Sequence, residues 1–379
     1  MAATKRILCY AKGLIYNDID CKVIITQRTE KHANIKNFIS QGFYEGTTYQ
    51  YIPSSPIRSN LFLLRRVQDI VSYFKTIVFF LFHIKRKDYV HLYSTFDSLY
   101  LTLLILCKIK KIKITRELCE YPHVTKNDSI RNKLIRLIDL KICFPLFSGF
   151  VVISTELEKV AKRYGSSQSS IIKIPILIDT NVTTEKYSHS KPYIFHGGTM
   201  LERKDAIVST MKAFAMASKR LNYTVDFILI GPASPHKKEL EQIIYDNKLQ
   251  QNVYFKAQLP NEEIIKYQNG AALSILNKND NLQNRCGFST KLGEILLSAT
   301  PVITTTIGEA NYYLRDNESA YIVEPHRPDL IAQKIFQAFS NEKERISIGL
   351  KGKQIAEKYF DYKTQGKRYK EFISNLLNN

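Results

Sequence analysis

The alternation of short apolar runs with helix-patterned segments across the second half of the chain limits its fold more than any other feature. Tyr193–Gly197 is a short apolar run entering a glycine turn, and 205–220 follows with apolar residues at helical spacing. Asp226–Ile230 is an apolar strand ending at Gly231-Pro232, and 236–247 is an amphipathic helix. A short strand at Val253-Tyr254-Phe255, a helix over 262–269 and a strand over 272–276 come next. A helix through Glu294, strands at 302–305 and 320–323, and a closing helix at 330–339 complete the series. Apolar strands separated by helices specify an α/β fold whose parallel sheet is covered on both faces. Ligands of such sheets sit outside the carboxyl ends of the strands. Gly197, Gly231 and the loop that starts at Gly287 all fall at or beside those ends.

Two of these loops carry chemistry. Gly287-Phe288-Ser289-Thr290 is small and polar and leads into a helix, so several backbone N–H groups can point into one space. The first N–H groups of a helix lack partners and the dipole favours an anion there. Lys291 adds a mobile positive charge. Glu294 lies about one turn further along the same face, placed to accept hydrogen bonds from sugar hydroxyls rather than to bind phosphate. Phosphate beside ribose describes a nucleotide-sugar. The second loop is Phe195-His196-Gly197-Gly198-Thr199-Met200-Leu201-Glu202-Arg203-Lys204-Asp205, a strand–loop–helix turn. Gly197 and Gly198 let backbone approach a phosphate closely, and Lys204 can neutralise it. The plain alternatives are a surface turn with solvated charges for this loop, and a dipole-stabilised glutamate for Glu294.

From Gly287 to Glu294, and again over Ala299-Thr300-Pro301-Val302-Ile303, the sequence resembles the C-terminal half of retaining GT-B glycosyltransferases of the large family 4. The resemblance implies two Rossmann-like α/β domains facing each other across a cleft. An acceptor-binding domain would span 1–180, completed by 361–379, and a nucleotide-sugar-binding domain 190–360. It puts Glu294 on the nucleotide ribose and Lys204 on the diphosphate. Gly197, Gly198, Gly231, Gly287, Phe288, Ser289 and Thr290 would line the donor. Two departures stand out. Cys286 occupies the position of the first of the family's two glutamates, and Gly198 that of its phosphate-binding arginine. Lys291 is the natural replacement for that missing charge. No cofactor and no metal is expected, the nucleotide-sugar being a substrate.

The first half is also α/β but less regular. Residues 22–26, 89–94 and 112–115 read as buried strands, and 61–87 and 98–108 as helices. Residues 6–15 read either as a first strand with a minimal turn at Gly13 or as the first helix, and the helix is preferred. A break between the halves falls at 174–191. Thr115-Arg116-Glu117-Leu118-Cys119-Glu120-Tyr121-Pro122-His123 places Glu117, Glu120 and His123 on one loop. Similar enzymes carry a histidine and a carboxylate near here. Lys204, Lys291 and Glu117 are therefore the candidate catalytic residues, with Glu120 and His123 facing acceptor or cleft. The bland reading is an ordinary loop whose Glu120 caps a helix.

Of the formal net charge of +20, residues 1–190 carry +14, from 29 Lys and Arg against 15 Asp and Glu. A basic half implies an acidic partner. The stretch 61–87 mixes Phe62, Phe74 and Phe82 with Arg65, Arg66, Lys75 and Lys85-Arg86-Lys87, which suits either an anionic membrane surface or a core helix with a basic face. No uncharged run approaches the roughly 20 residues of a membrane span, and six scattered Cys with no signal-peptide pattern suit a reducing compartment. Nucleic acid is not expected, because no reading motif is present. The expectation is a cytoplasmic enzyme at the inner membrane face, moving sugar from a nucleotide diphosphate, UDP-linked, to a lipid-linked carbohydrate in capsule, O-antigen or exopolysaccharide assembly. Rival readings are a degenerate transferase, a charge-driven membrane or nucleic-acid binder, and a nucleotide-sugar epimerase.

Overall fold

The computed structural model describes residues 2–123, 129–181 and 185–378; within the break at 174–191, residues 182–184 lie outside them. The chain divides into two compact units, Met1–Leu177 with Tyr362–Asn379, and Ile178–Asp361.

In the first unit, α1 (Ala2–Tyr16) is a helix, so 6–15 takes the helical of its two readings. Next come β1 (Lys22–Ile25), β2 (Glu30–Lys31), β3 (Gln41–Tyr44), β4 (Thr47–Tyr51) and β5 (Ile57–Arg58). β4 lies between β1, parallel to it, and β3, antiparallel to it, while β2 pairs with β5. The β3–β4 turn places Glu45 and Gly46 at φ of 46° and 81°, the left-handed pair that matches the twist of a tight hairpin. After α2 (Phe62–His83), the elements β6 (Tyr89–Leu92), α3 (Ser98–Ile109), β7 (Lys113–Leu118), α4 (Ile130–Ile138), β8 (Gly149–Val152), α5 (Thr155–Tyr164) and β9 (Ser170–Lys173) alternate. Their four strands form a parallel sheet in the order β6-β7-β8-β9. β1 and β6 are half-buried rather than buried, because each is a sheet edge. β7 runs to Leu118, so Glu117 sits on a strand and not on the loop after it.

The second unit runs β10 (Tyr193–Gly197), α6 (Glu202–Asp205), α7 (Ile207–Arg220), β11 (Asp226–Ile230), α8 (Lys237–Asp246), β12 (Val253–Lys256), α9 (Asn261–Gly270) and β13 (Leu273–Leu276). It continues with α10 (Leu282–Cys286), α11 (Thr290–Leu297), β14 (Val302–Thr305), β15 (Tyr321–Val323), α12 (Pro328–Ser340) and α13 (Glu342–Phe360). Six strands form one parallel sheet in the order β12-β11-β10-β13-β14-β15. Successive residues of β10 serve opposite faces, as the pleat requires. Ile194 joins Phe227, Leu273 and Ile303 under Met211 and Phe214 of α7 and Ile335 of α12. Tyr193 and Phe195 join Ile228 and Ile230 against Tyr267 of α9. The strand order reverses between β10 and β13, whose connections leave in opposite directions. A crevice opens at such a switch point, outside the carboxyl ends.

The last helix, α14 (Tyr362–Asn378), belongs to the first unit and packs on α1. The two backbones touch: a Cβ on Gly13 would lie 2.5 Å from the Tyr362 carbonyl oxygen, and one on Gly366 2.3 Å from that of Gly13.

Candidate functional site

The switch point of the second unit gathers the sequence-derived residues. β10 ends at Gly197 and β11 at Ile230, and the N–H of Gly198 donates to the Ile230 carbonyl at 3.0 Å. The two loops press so closely that a Cβ on Gly231 would fall 1.9 Å from the Gly198 carbonyl oxygen, which only glycine allows. At Gly198 itself a Cβ would meet His196 Nε2 and Lys291 Nζ, each at 2.9 Å, and Asp205 Oδ2 at 3.1 Å. The space that a side chain at 198 would enter is thus already occupied by the Lys291 ammonium. An arginine is expected at 198 from the family pattern, and the lysine stands where that side chain would begin.

Asp205 organises this cluster. Its Oδ2 accepts from the Thr199 N–H at 3.1 Å and the Thr199 hydroxyl at 2.6 Å, closing the glycine loop. Its Oδ1 accepts from Lys278 Nζ at 2.9 Å. Burial opposes ionisation of this carboxyl, yet Lys278, Lys291 and His196 hold it well below the usual carboxylate range. Burial lowers Lys291 to about 8, with Lys278 and Lys204 pushing the same way and Asp205 and Glu294 resisting. His196 is buried beside the glycines, which lowers it to about 4 and keeps the ring neutral; its Nδ1 lies 3.2 Å from the Ile275 carbonyl.

Lys278 was invisible to motif reading. It sits two residues past β13, at the carboxyl end of an apolar strand, and its ammonium also donates to the Lys204 carbonyl at 3.1 Å. Neighbouring amides extend the seam: Asn279 Nδ2 donates to the Glu202 carbonyl at 2.6 Å and Asn281 Nδ2 to that of Arg203 at 2.9 Å. The signal available was the polar run Asn277-Lys278-Asn279-Asp280-Asn281 directly after Leu273–Leu276. Lys204 itself is exposed on α6.

The Gly287 loop divides by role. Ser289 is the N-cap of α11 and no side chain caps that end, which leaves the helix start suited to an anion. Lys291 and Glu294 lie on its first turns, Glu294 half-buried. Phe288 is corrected: its ring is buried, stacked on Tyr313 at 5.6 Å and edge-on to Phe360 at 5.5 Å, so it anchors the loop rather than meeting a ligand. Cys286 is buried as well.

In the first unit the expected cluster separates. Glu117 is buried and committed: Arg6 Nε donates to its Oε1 at 2.7 Å, His91 Nε2 lies 3.1 Å from Oε2, and the Cys119 thiol donates at 3.1 Å. Burial would raise this carboxyl, but Arg6 and His91 lower it to about 2. Arg6 is held in turn by the Ile174 carbonyl at 2.9 Å and by that of Pro175. A carboxylate so paired is a structural anion, which speaks against Glu117 as a catalytic residue that touches donor or acceptor hydroxyls. His123 belongs to another network, with Nε2 3.1 Å from Asp139 Oδ2, while Arg116 holds Asp139 Oδ1 at 2.6 Å. Glu120 is exposed beyond the strand and joins neither through a described contact.

The fold is that of glycosyltransferases of GT-B architecture. Residues 183–355 match the family model described as Glycosyl transferases group 1. No curated protein matches the chain. Among solved structures it is similar to sucrose-phosphate synthase from Thermosynechococcus elongatus, with 12% identity and a TM-score of 0.72 over 97% of this chain and 92% of the other. It is also similar to Anabaena HepE in complex with UDP and glucose, with 15% identity and a TM-score of 0.68 over 99% and 96%. A glycosyltransferase from Rickettsia africae aligns with 16% identity and a TM-score of 0.66 over 99% and 95%.

Proposed function

We propose that this chain is a metal-independent, retaining glycosyltransferase of family 4. It moves a sugar from a UDP-linked donor to a lipid-linked carbohydrate acceptor at the inner face of the cell membrane, in assembly of a capsule, O-antigen or exopolysaccharide. The observation that carries the donor assignment is the half-buried Lys291 ammonium standing at the gap left by Gly198, beside the uncapped start of α11 and the sheet's switch point. A diphosphate there meets glycine backbone on one side and ammonium groups on the other. Glu294, one turn along, takes the ribose hydroxyls.

Departure of the nucleotide leaves negative charge on the diphosphate. Lys291, Lys278, Lys204 and the α11 amides stabilise it, and preorganised donors of this sort are worth on the order of 10²-fold or more each in rate. No protein base is assigned; the departing phosphate assists the acceptor hydroxyl, as the family resemblance implies. Anabaena HepE, similar in fold, was solved in complex with UDP and glucose, which supports a uridine nucleotide over other bases.

The test is thermal shift with UDP, GDP and their sugar conjugates in chelator, using Lys204→Ala, Lys291→Ala and Glu294→Ala. The expected result is stabilisation by UDP that each substitution weakens. No shift with any nucleotide sinks the donor assignment and leaves a degenerate transferase.

A further inference from the structure

The two helices α2 and α4 wear their amphipathicity inside out. On α2, Leu63, Val67, Ile70, Phe74, Val78 and Leu81 recur at intervals of three or four residues, which puts them on one stripe. All six are exposed, Leu63 at 77% and Phe74 at 60%. The residues of α2 that are buried, Ser72, Thr76 and Phe80, lie on the opposite side and include two hydroxyls. The apolar side of this helix therefore faces away from the unit's own core. At about 1.5 Å per residue the stripe runs for roughly 30 Å, more than scattered surface leucines account for.

Basic residues flank it. Arg65 and Arg66 lie over the Phe62 ring at 5.5 and 5.1 Å, Lys75 follows, and the exposed run Lys85-Arg86-Lys87 continues past the helix end. The single acidic residue of α2, Asp69, faces Arg66 at 3.9 Å. Lys110 reaches from the end of α3 to the carbonyls of Phe80 and Leu81, each at 2.8 Å, and so ties down the C-terminus of α2.

α4 repeats the pattern independently. None of its residues is buried, and Ile130, Leu134 and Leu137, again one stripe, are 86%, 56% and 51% exposed. Arg131, Lys133 and Arg136 are its only charged residues. No helix among the described residues is long and apolar enough to cross a membrane. A helix with Leu, Ile and Phe on one side and Lys and Arg beside them lies in the plane of a headgroup layer, and each nearby cation adds attraction to anionic lipid. A second copy of the chain fits less well, because pairing these faces sets Arg65, Arg66 and Lys75 against like charge.

We infer that the exposed face of α2 is where the first unit lies on an anionic lipid bilayer, its apolar stripe entering the interface and the flanking Lys and Arg meeting the headgroups, and that α4 carries a second face of the same kind. This deepens the membrane part of the proposed function and depends on the first unit alone, so it stands or falls apart from the donor site.

The experiment is co-sedimentation of the full chain with vesicles of phosphatidylcholine alone and with phosphatidylglycerol added, at physiological salt. Ile70→Ser/Phe74→Ser and Leu134→Ser/Leu137→Ser are compared with wild type, and UDP thermal shift reports that the second unit is unaltered. Anionic vesicles should bind the wild type at least about tenfold better than neutral ones, and each double substitution should cost about tenfold. Wild type that ignores anionic vesicles overturns the inference, as do variants that bind as well as wild type. So does a dimer in light scattering that Ile70→Ser/Phe74→Ser dissociates, since the stripe would then be an interface between copies.

Discussion

Replacing Lys291 with methionine separates function from stability at one atom. The ammonium is held at about 8 where a lysine ordinarily titrates at 10.5, and the attraction of Asp205 is already included in that value. The difference amounts to roughly 3 kcal/mol set against the charged form at neutral pH. Solvent reaching part of the side chain reduces this to about 1–2 kcal/mol. Between pH 8 and 10.5 the unfolded chain binds more protons at this site than the folded one, so stability rises with pH across that window. Methionine removes the charge and keeps the length, while Asp205 retains Lys278 and Thr199. Lys291→Met should therefore raise the Tm of the nucleotide-free protein by a few degrees at pH 7. The same change removes a charge-assisted contact to diphosphate worth about 1.5–3 kcal/mol, so the UDP Kd should rise about 10- to 100-fold. Titration calorimetry across pH adds a second signature. Wild-type affinity should decline above pH 8, where binding must first protonate Lys291, and the variant's should not. A variant with lower Tm and unchanged UDP affinity would show that Lys291 is merely a structural partner of Asp205.

Four further outcomes follow from the geometry. Gly198→Arg, which restores the family's residue, should displace Lys291 and crowd the buried His196 ring, costing about 1–3 kcal/mol in denaturant unfolding and weakening UDP rather than strengthening it. Gly231→Ala drives a methyl into the Gly198 carbonyl 1.9 Å away; loss of UDP shift together with a Tm drop of several degrees is expected, and wild-type UDP binding would contradict the loop contact. Arg6→Met strands the buried Glu117 carboxylate at a cost of about 3–5 kcal/mol, read by urea midpoint. Glu117 is lowered to about 2 from 4.5, so its contribution, about 3 kcal/mol, is full above pH 4.5 and fades as pH falls toward 2; Glu117→Gln should flatten that part of the acid-unfolding profile.

The parallel sheet of the second unit was legible because its strands inside the edge strand β12 are largely buried and read as unbroken apolar runs. Tyr193–Gly197 and Asp226–Ile230 stand where the pattern put them. The helix pattern of 205–220 hid a break at Ala206, whose left-handed φ of 45° separates α6 from α7 and turns Asp205 inward. In the first unit the hairpin of β3 and β4 escaped notice because β3 is exposed along its length and shows no apolar alternation. Single loops of the site were readable from their glycines and Lys291. The Asp205–Lys278 pair was not, since its partners are 73 residues apart and meet only once the sheet has formed. Glu117 misled for a related reason: its counter-charge, Arg6, lies 111 residues upstream on a helix.

The contact of α1 with α14 has a consequence for how the molecule is made. The second unit is one unbroken segment, whereas the first is assembled from two pieces separated by all of it. During synthesis the buried side of α1, with Tyr10 and Leu14, must wait for Tyr369 and Ile373 until the whole second unit has emerged. Folding order is thus imposed by connectivity: the nucleotide-side unit can complete itself first, and the other closes late around a helix that has stood uncovered throughout. A nascent chain stalled before residue 362 would leave that surface uncovered by the seventeen-residue helix α14.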